Sequence, residues 1–147
     1  MDPKSFSGFT LVEIFIVIGL MAILVSLSAP LYTSLQTAQP LRSSRDELVF
    51  NLRLAQEQSR SGQSASNFGI FLTADGYTMY RGASYATRLA PEDRLFYFLD
   101  GIQSSGITEV NFATTTGLPA AEGSIVLRHV ITGLTEIITV DRGGLIY

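Results

Sequence analysis

Ser7-Gly8-Phe9-Thr10-Leu11-Val12-Glu13 opens a stretch that runs apolar from Ile14 to Ala29, so one carboxylate stands at the mouth of a long hydrophobic segment. A charge in hydrocarbon costs roughly 2.5–3.5 kcal/mol at a helix centre, which makes an ionisable group in such a segment functional by default. No charge occurs between Glu13 and Arg42. A helix rising about 1.5 Å per residue from Phe9 to Leu35 would cover the roughly 30 Å hydrocarbon core of a bilayer, so the segment is expected to cross a membrane. It reads poorly as a secretory signal. Met1 to Ser7 hold only Lys4 against Asp2, and no small-x-small site clearly ends the run, although Ser26-Leu27-Ser28 and Ser28-Ala29-Pro30 approach one. Retention of the segment is therefore expected, with only weak charge bias to orient it.

Beyond the apolar run the helix is expected to continue. Leu41, Leu48, Leu52 and Ala55 share one face at helical spacing, while Arg42, Arg53 and Arg60 fall on another. Pro30 and Pro40 each remove a backbone donor and crowd the carbonyl four residues earlier, which should bend or locally melt the helix without ending it. Gly62 is the expected stop. The period then changes to two. Asn67–Thr73 and Tyr77–Arg81 are strand-like runs joined around Asp75-Gly76, a hairpin signal. Further strands are expected at Leu95–Leu99, Thr108–Ala113, Ser124–Ile131 and Leu134–Val140, with Leu145–Tyr147 as a short final edge and Thr132-Gly133 as a tight connection. Turn-rich loops fill Gly82–Arg94 and Thr114–Gly123. The expected class is α+β: a long N-terminal helix, transmembrane then amphipathic, followed by an antiparallel β head.

Composition narrows the chemistry. The 147 residues carry a net charge of −3, which offers no clustered basic face for nucleic acid. With no cysteine and one histidine, a disulfide framework, an iron–sulfur cluster and the common zinc sites lack their ligands.

Gly8-Phe9-Thr10-Leu11-Val12-Glu13, followed by an uncharged helix containing Pro30, resembles the N-terminus of type IV pilins and type II secretion pseudopilins. The resemblance implies a pilin-like fold of three parts: a leader over 1–8, an N-terminal helix over 9–62 and a β head over 63–147. It implies that a prepilin peptidase cuts after Gly8 and methylates the new amine of Phe9, leaving Glu13 as fifth residue of the processed chain. Pro30 stands where that family's helix carries its proline; the single lysine of the leader departs from the more basic leaders of the family. The implied role is that of a structural subunit, minor pilin or pseudopilin, with no catalytic residue, metal or cofactor. Its implied partners are other pilin or pseudopilin subunits through the N-terminal helix, the peptidase and an inner-membrane assembly platform. The implied location is the cytoplasmic membrane, single-pass with the head outside, and then the filament. Small size, the Asn67–Arg81 hairpin and the ending Ile137-Ile138-Thr139-Val140-Asp141-Arg142-Gly143-Gly144-Leu145-Ile146-Tyr147 look most like the H-type minor pseudopilins.

In that setting, cleavage would leave an ammonium at Phe9, and side-by-side helices would let Glu13 of one subunit meet the Phe9 amine of its neighbour. Such a buried pair specifies register more surely than it adds stability. The competing account is that Glu13 only complements the helix dipole in the first turn; it leaves Gly8-Phe9 and Pro30 unexplained. The alternative function is a membrane-anchored β module that binds a ligand, DNA included, outside any filament. Asp46 and Glu57 follow Arg42 and Arg53 by four residues, so the arginine face reads as a solvated ion-pair surface, and no nucleic-acid partner is expected. His129 reads as a surface or edge residue, Glu92, Asp93 and Asp100 as solvated turn acids with calcium as the other reading, and Tyr77, Tyr80, Phe96 and Phe98 as strand packing.

Overall fold

The computed structural model describes residues 10–62 and 65–147, with the side chains of 26–38 excepted. The chain divides into two compact units, Met1–Gln36 and Thr37–Tyr147. The helix α1 is assigned over Leu11–Ser61, and its side chains are described in stretches of 15 and 23 residues, 11–25 and 39–61.

Those two stretches correct the expected fold class. Among the described residues no helix is both long and apolar enough to cross a membrane. The 11–25 stretch is apolar but falls short of the roughly 20 residues a span requires. The 39–61 stretch has the length but carries Arg42, Arg45, Asp46, Glu47, Arg53, Glu57 and Arg60. The long transmembrane-plus-amphipathic helix and the single-pass location in the cytoplasmic membrane are both overturned by this finding. Antiparallel sheets do follow the helical part.

The second unit is built on the amphipathic stretch. Leu41, Leu48, Leu52 and Ala55 are all buried, on the face their spacing gave them, and Gly62 caps the helix at φ +63° with its N–H on Ser59 O. Polar groups one row away tie that helix to the rest of the unit. Asn51 Nδ2 donates to Tyr77 Oη at 2.8 Å, Arg53 Nη2 to Ile146 O at 3.0 Å, and Gln56 Nε2 to both Gly117 O and Gly144 O.

The first sheet has the order β3-β2-β1-β5, with β1 Phe68–Thr73, β2 Gly76–Arg81, β3 Arg94–Tyr97 and β5 Glu109–Phe112. The second has the order β4-β6-β7, with β4 Ile102–Gly106, β6 Gly123–His129 and β7 Thr135–Val140. Both are antiparallel throughout. Gly76 lies inside β2, opposite Tyr97; a Cβ there would stand 2.3 Å from Phe96 O, so the glycine serves the close approach of β3 and not a left-handed turn. The final edge expected at Leu145–Tyr147 is a single bridge, Val140 to Ile146, extended by two bonds between Thr139 and Tyr147. Strand β4 and the two 3-10 turns, Tyr85–Thr87 and Ala90–Glu92, were not expected. Gln103, Ser104 and Ser105 have little strand propensity, and β4 is held by its neighbours: Ser104 N–H on Ala74 O at 2.8 Å and Ser104 Oγ on Thr73 O at 2.7 Å.

One core joins helix and sheets, from Leu41 through Ile70, Phe112 and Leu127 to Ile146, and all of it lies within Thr37–Tyr147. That unit therefore has the makings of an independently folding domain. Leu52 is fully buried and Phe50, two residues away, is 65% exposed. Leu52→Ala should cost about 3 kcal/mol in urea unfolding of Thr37–Tyr147, and Phe50→Ala less than about 0.5 kcal/mol.

Candidate functional site: the first turns of the helix

Thr10 begins the helix. Its Oγ1 accepts the N–H of Glu13 at 3.3 Å, which satisfies one of the first-turn donors that a helix leaves unpaired. Thr10-Leu11-Val12-Glu13 thus has the spacing of a capping box, and the Glu13 carboxylate sits where the helix dipole favours negative charge. The cap explains why a carboxylate is tolerated here. It does not explain what surrounds it.

Every large apolar side chain from Leu11 to Val25 is more than half exposed, from Ile14 at 51% to Leu11 at 72%. They point in all directions, so no face of this stretch is left polar. Two shallow apolar grooves run along it. One, of about 360 Å³, is lined by Leu11, Ile14, Phe15 and Ile18; the other, of about 300 Å³, by Glu13, Ile14, Val17 and Ile18. Glu13 therefore sits on the rim of an apolar groove. A Cβ on Gly19 would meet nothing within 4 Å, so its backbone is open to close approach. Of the four residues that the sequence singles out, Glu13 alone is described with its side chain. Gly8 and Phe9 lie outside the described residues, as does the side chain of Pro30.

The other candidates resolve into structure. His129 is 7% exposed, which corrects the surface or edge reading: it points inward from β6 in step with Ile125 and Leu127, and its Nδ1 accepts the Thr132 N–H at 3.3 Å. Arg42 and Arg45 both approach Glu136 on β7, at 3.8 and 3.9 Å, in place of the expected Arg42–Asp46 pair. Glu92 is bound by Arg81 and Asp93 by Arg88 at 2.7 Å. Among the described residues no group of three or more His, Cys, Asp and Glu side chains could hold a metal ion.

The loop Gly82–Arg94 is fastened by a device that no local motif announces. Glu109 Oε1 accepts from Tyr80 Oη at 2.5 Å and from the Tyr85 N–H at 2.8 Å. Tyr85 stacks on Phe71 with ring centroids 3.9 Å apart, and the Arg88 guanidinium covers the ring's other face at 3.7 Å. Asn111 Nδ2 donates to Tyr80 Oη and Gly82 O. Burial first, and then donation to Glu109, pushes the Tyr80 phenol far above its ordinary range. Burial likewise raises Tyr77 to about 12, helped by the nearby charge of Glu47 and opposed by the Asn51 hydrogen bond. Both phenols are held neutral by the fold, so their contribution to stability is complete below pH ~10, the unfolded value, and is lost as pH rises toward the folded values. The only lysine of the chain is Lys4, so no lysine titrates in Thr37–Tyr147 across that window. Unfolding experiments on this unit should show stability falling between about pH 10 and 12, with the fall reduced in Tyr77→Phe.

Comparison with protein-family models, with curated proteins and with solved structures returns no match.

Proposed function

We propose that the chain is a structural subunit, a minor pilin or pseudopilin, of a type IV pilus or type II secretion pseudopilus. In this reading it is processed by hydrolysis of the Gly8–Phe9 bond and is built into the filament by packing of its N-terminal helix. The observation that carries the reading is the exposed apolar surface from Leu11 to Val25 with one carboxylate in its first turn. A helix that is apolar all round has to be covered, since each large side chain removed from water contributes roughly 1.5–3 kcal/mol. Helices of neighbouring subunits supply that cover, and the open backbone at Gly19 favours their close approach.

Hydrophobic burial alone does not choose a register, because one apolar helix slides along another with little change in area. Glu13 supplies the choice. Buried without a partner its carboxylate would cost several kcal/mol, so packing is favoured only where a cation meets it. The ammonium freed at Phe9 by processing is such a cation, four residues from the carboxylate of its own chain and free to approach that of a neighbour. Assembly is then made conditional on cleavage.

Two variants test the reading in the host that makes the filament. Glu13→Leu should leave processing intact while lowering the amount of this chain in sheared filaments at least about tenfold, the effect of roughly 1.4 kcal/mol or more per contact. Gly8→Val should leave the chain eight residues longer by mass spectrometry and absent from filaments. Equal recovery of Glu13→Leu and wild type in the filament fraction would sink the proposal.

A further inference from the structure

The face of the first sheet that packs on the helix extends beyond its apolar cover. Side chains alternate across a strand, so Tyr77, Met79 and Arg81 of β2 share one face, and the Asn51–Tyr77 hydrogen bond marks it as the face turned to the helix. The register places Phe96 opposite Tyr77, Arg94 opposite Met79 and Phe68 opposite Arg81 on that same face. Tyr77 and Phe96 stack there, with ring centroids 5.0 Å apart. One step further along, the sheet offers arginines in place of rings. Gln58 from the end of the helix stands on one side of them and the turn Pro91–Asp93 on another, and between lies a cavity of about 480 Å³. Phe68 and Met79 give it apolar lining.

The charges at this cavity are matched with one exception. Arg81 Nη1 donates to both carboxylate oxygens of Glu92 at 3.2 Å, and Asp93 Oδ2 accepts from Arg88 Nε at 2.7 Å. Arg94 is exposed, and its side chain makes no hydrogen bond or ion pair among the described residues. The side-chain amide of Gln58 makes none there either. The wall opposite the helix is set in advance. Arg88 lies over the Tyr85 ring and donates to Tyr85 O at 2.8 Å, which holds the 85–93 segment in place without a ligand. A cavity of this size, already formed, with apolar lining and two open polar groups, has the anatomy of a small-molecule site.

We propose that this cavity binds a small carboxylate with an apolar, ring-sized body. The Arg94 guanidinium, the surplus cation, takes the carboxylate; its fork of donors matches two oxygens at once. Gln58 Nε2 donates to one of those oxygens, and the body rests on Phe68 and Met79. The matched pairs Arg81–Glu92 and Arg88–Asp93 stay closed and keep the wall in position. A cationic ligand of the same shape is refused, because the one unmatched charge is positive. The site uses neither Gly8, Phe9 nor Glu13, so binding does not require incorporation into a filament.

Titration of hydrocinnamate, a phenyl ring on a short arm ending in a carboxylate, into the isotope-labelled full chain in an uncharged detergent tests the proposal through the amide NMR signals. The expected result is saturable shifts at Phe68, Met79 and Arg94 with a dissociation constant on the order of 0.1–1 mM. Hydrocinnamamide, the same body without the charge, should bind at least about tenfold more weakly, and Arg94→Gln should weaken hydrocinnamate by a similar factor. Gln58→Ala should weaken it about threefold. Unchanged signals of the free variants away from the cavity show that the fold is intact. An absence of shifts at these residues up to about 10 mM overturns the proposal. So does equal affinity for the amide, or a hydrocinnamate affinity indifferent to Arg94→Gln. Tighter binding of a blocked Ala-Phe-Glu-Ala peptide than of hydrocinnamate overturns it as well, since the occupant would then be a protein segment.

Discussion

The burial of Leu48 and Leu52 is the contact on which the rest of the second unit depends. Two sheets of four and three strands, which share no ladder, need a common surface against which to pack. The amphipathic stretch of α1 provides it, and one continuous core results. Once that face is fixed, the next row of the helix is fixed as well, and this brings Asn51, Arg53 and Gln56 to a tyrosine hydroxyl and three loop carbonyls. Their hydrogen bonds add modestly to stability one by one, about 1 kcal/mol each. Their larger effect is positional. They hold the 113–123 loop and the C-terminal residues against the helix, beside the buried side chain of Ile146.

The sequence made the regular parts of this arrangement legible where a single period dominated. Helical spacing marked Leu41, Leu48, Leu52 and Ala55, and alternation marked most strands to within a residue or two. Strand β4 escaped because its pairing energy comes from partners and not from its own side chains: only Ile102 is buried. The Glu109 clasp escaped because its two donors lie 29 and 24 residues away, beyond any local pattern. His129 follows the alternation and not its polarity: counting in twos from Ile125 places it inside. The expectation of a membrane span rests on the uncharged run from Glu13 to Arg42 and on helical rise from Phe9 to Leu35; of that run the described side chains cover 11–25, fifteen residues, which is shorter than a span. Of the candidate site, the capped carboxylate at Glu13 was legible from Thr10 and the dipole, whereas Gly8 and Phe9 fall outside the described residues.

Polar and apolar surfaces are divided unevenly between the two units. In Thr37–Tyr147 several acids meet bases, as Arg81 with Glu92, Arg88 with Asp93 and Arg142 with Glu122, and one apolar core is packed. In 11–25 there is one charge, and every large apolar side chain is more than half exposed.

The bonds from Gln56 and Arg53 also have a mechanical meaning. A pull along the amphipathic stretch reaches the β head through bonds to Gly117, Gly144 and Ile146, far apart in the chain, and through the buried leucines beside them. Tension is thereby shared among several attachments loaded side by side and is not spent unzipping them in turn. Residues 39–61 and the β head thus bear load together as parts of one compact unit.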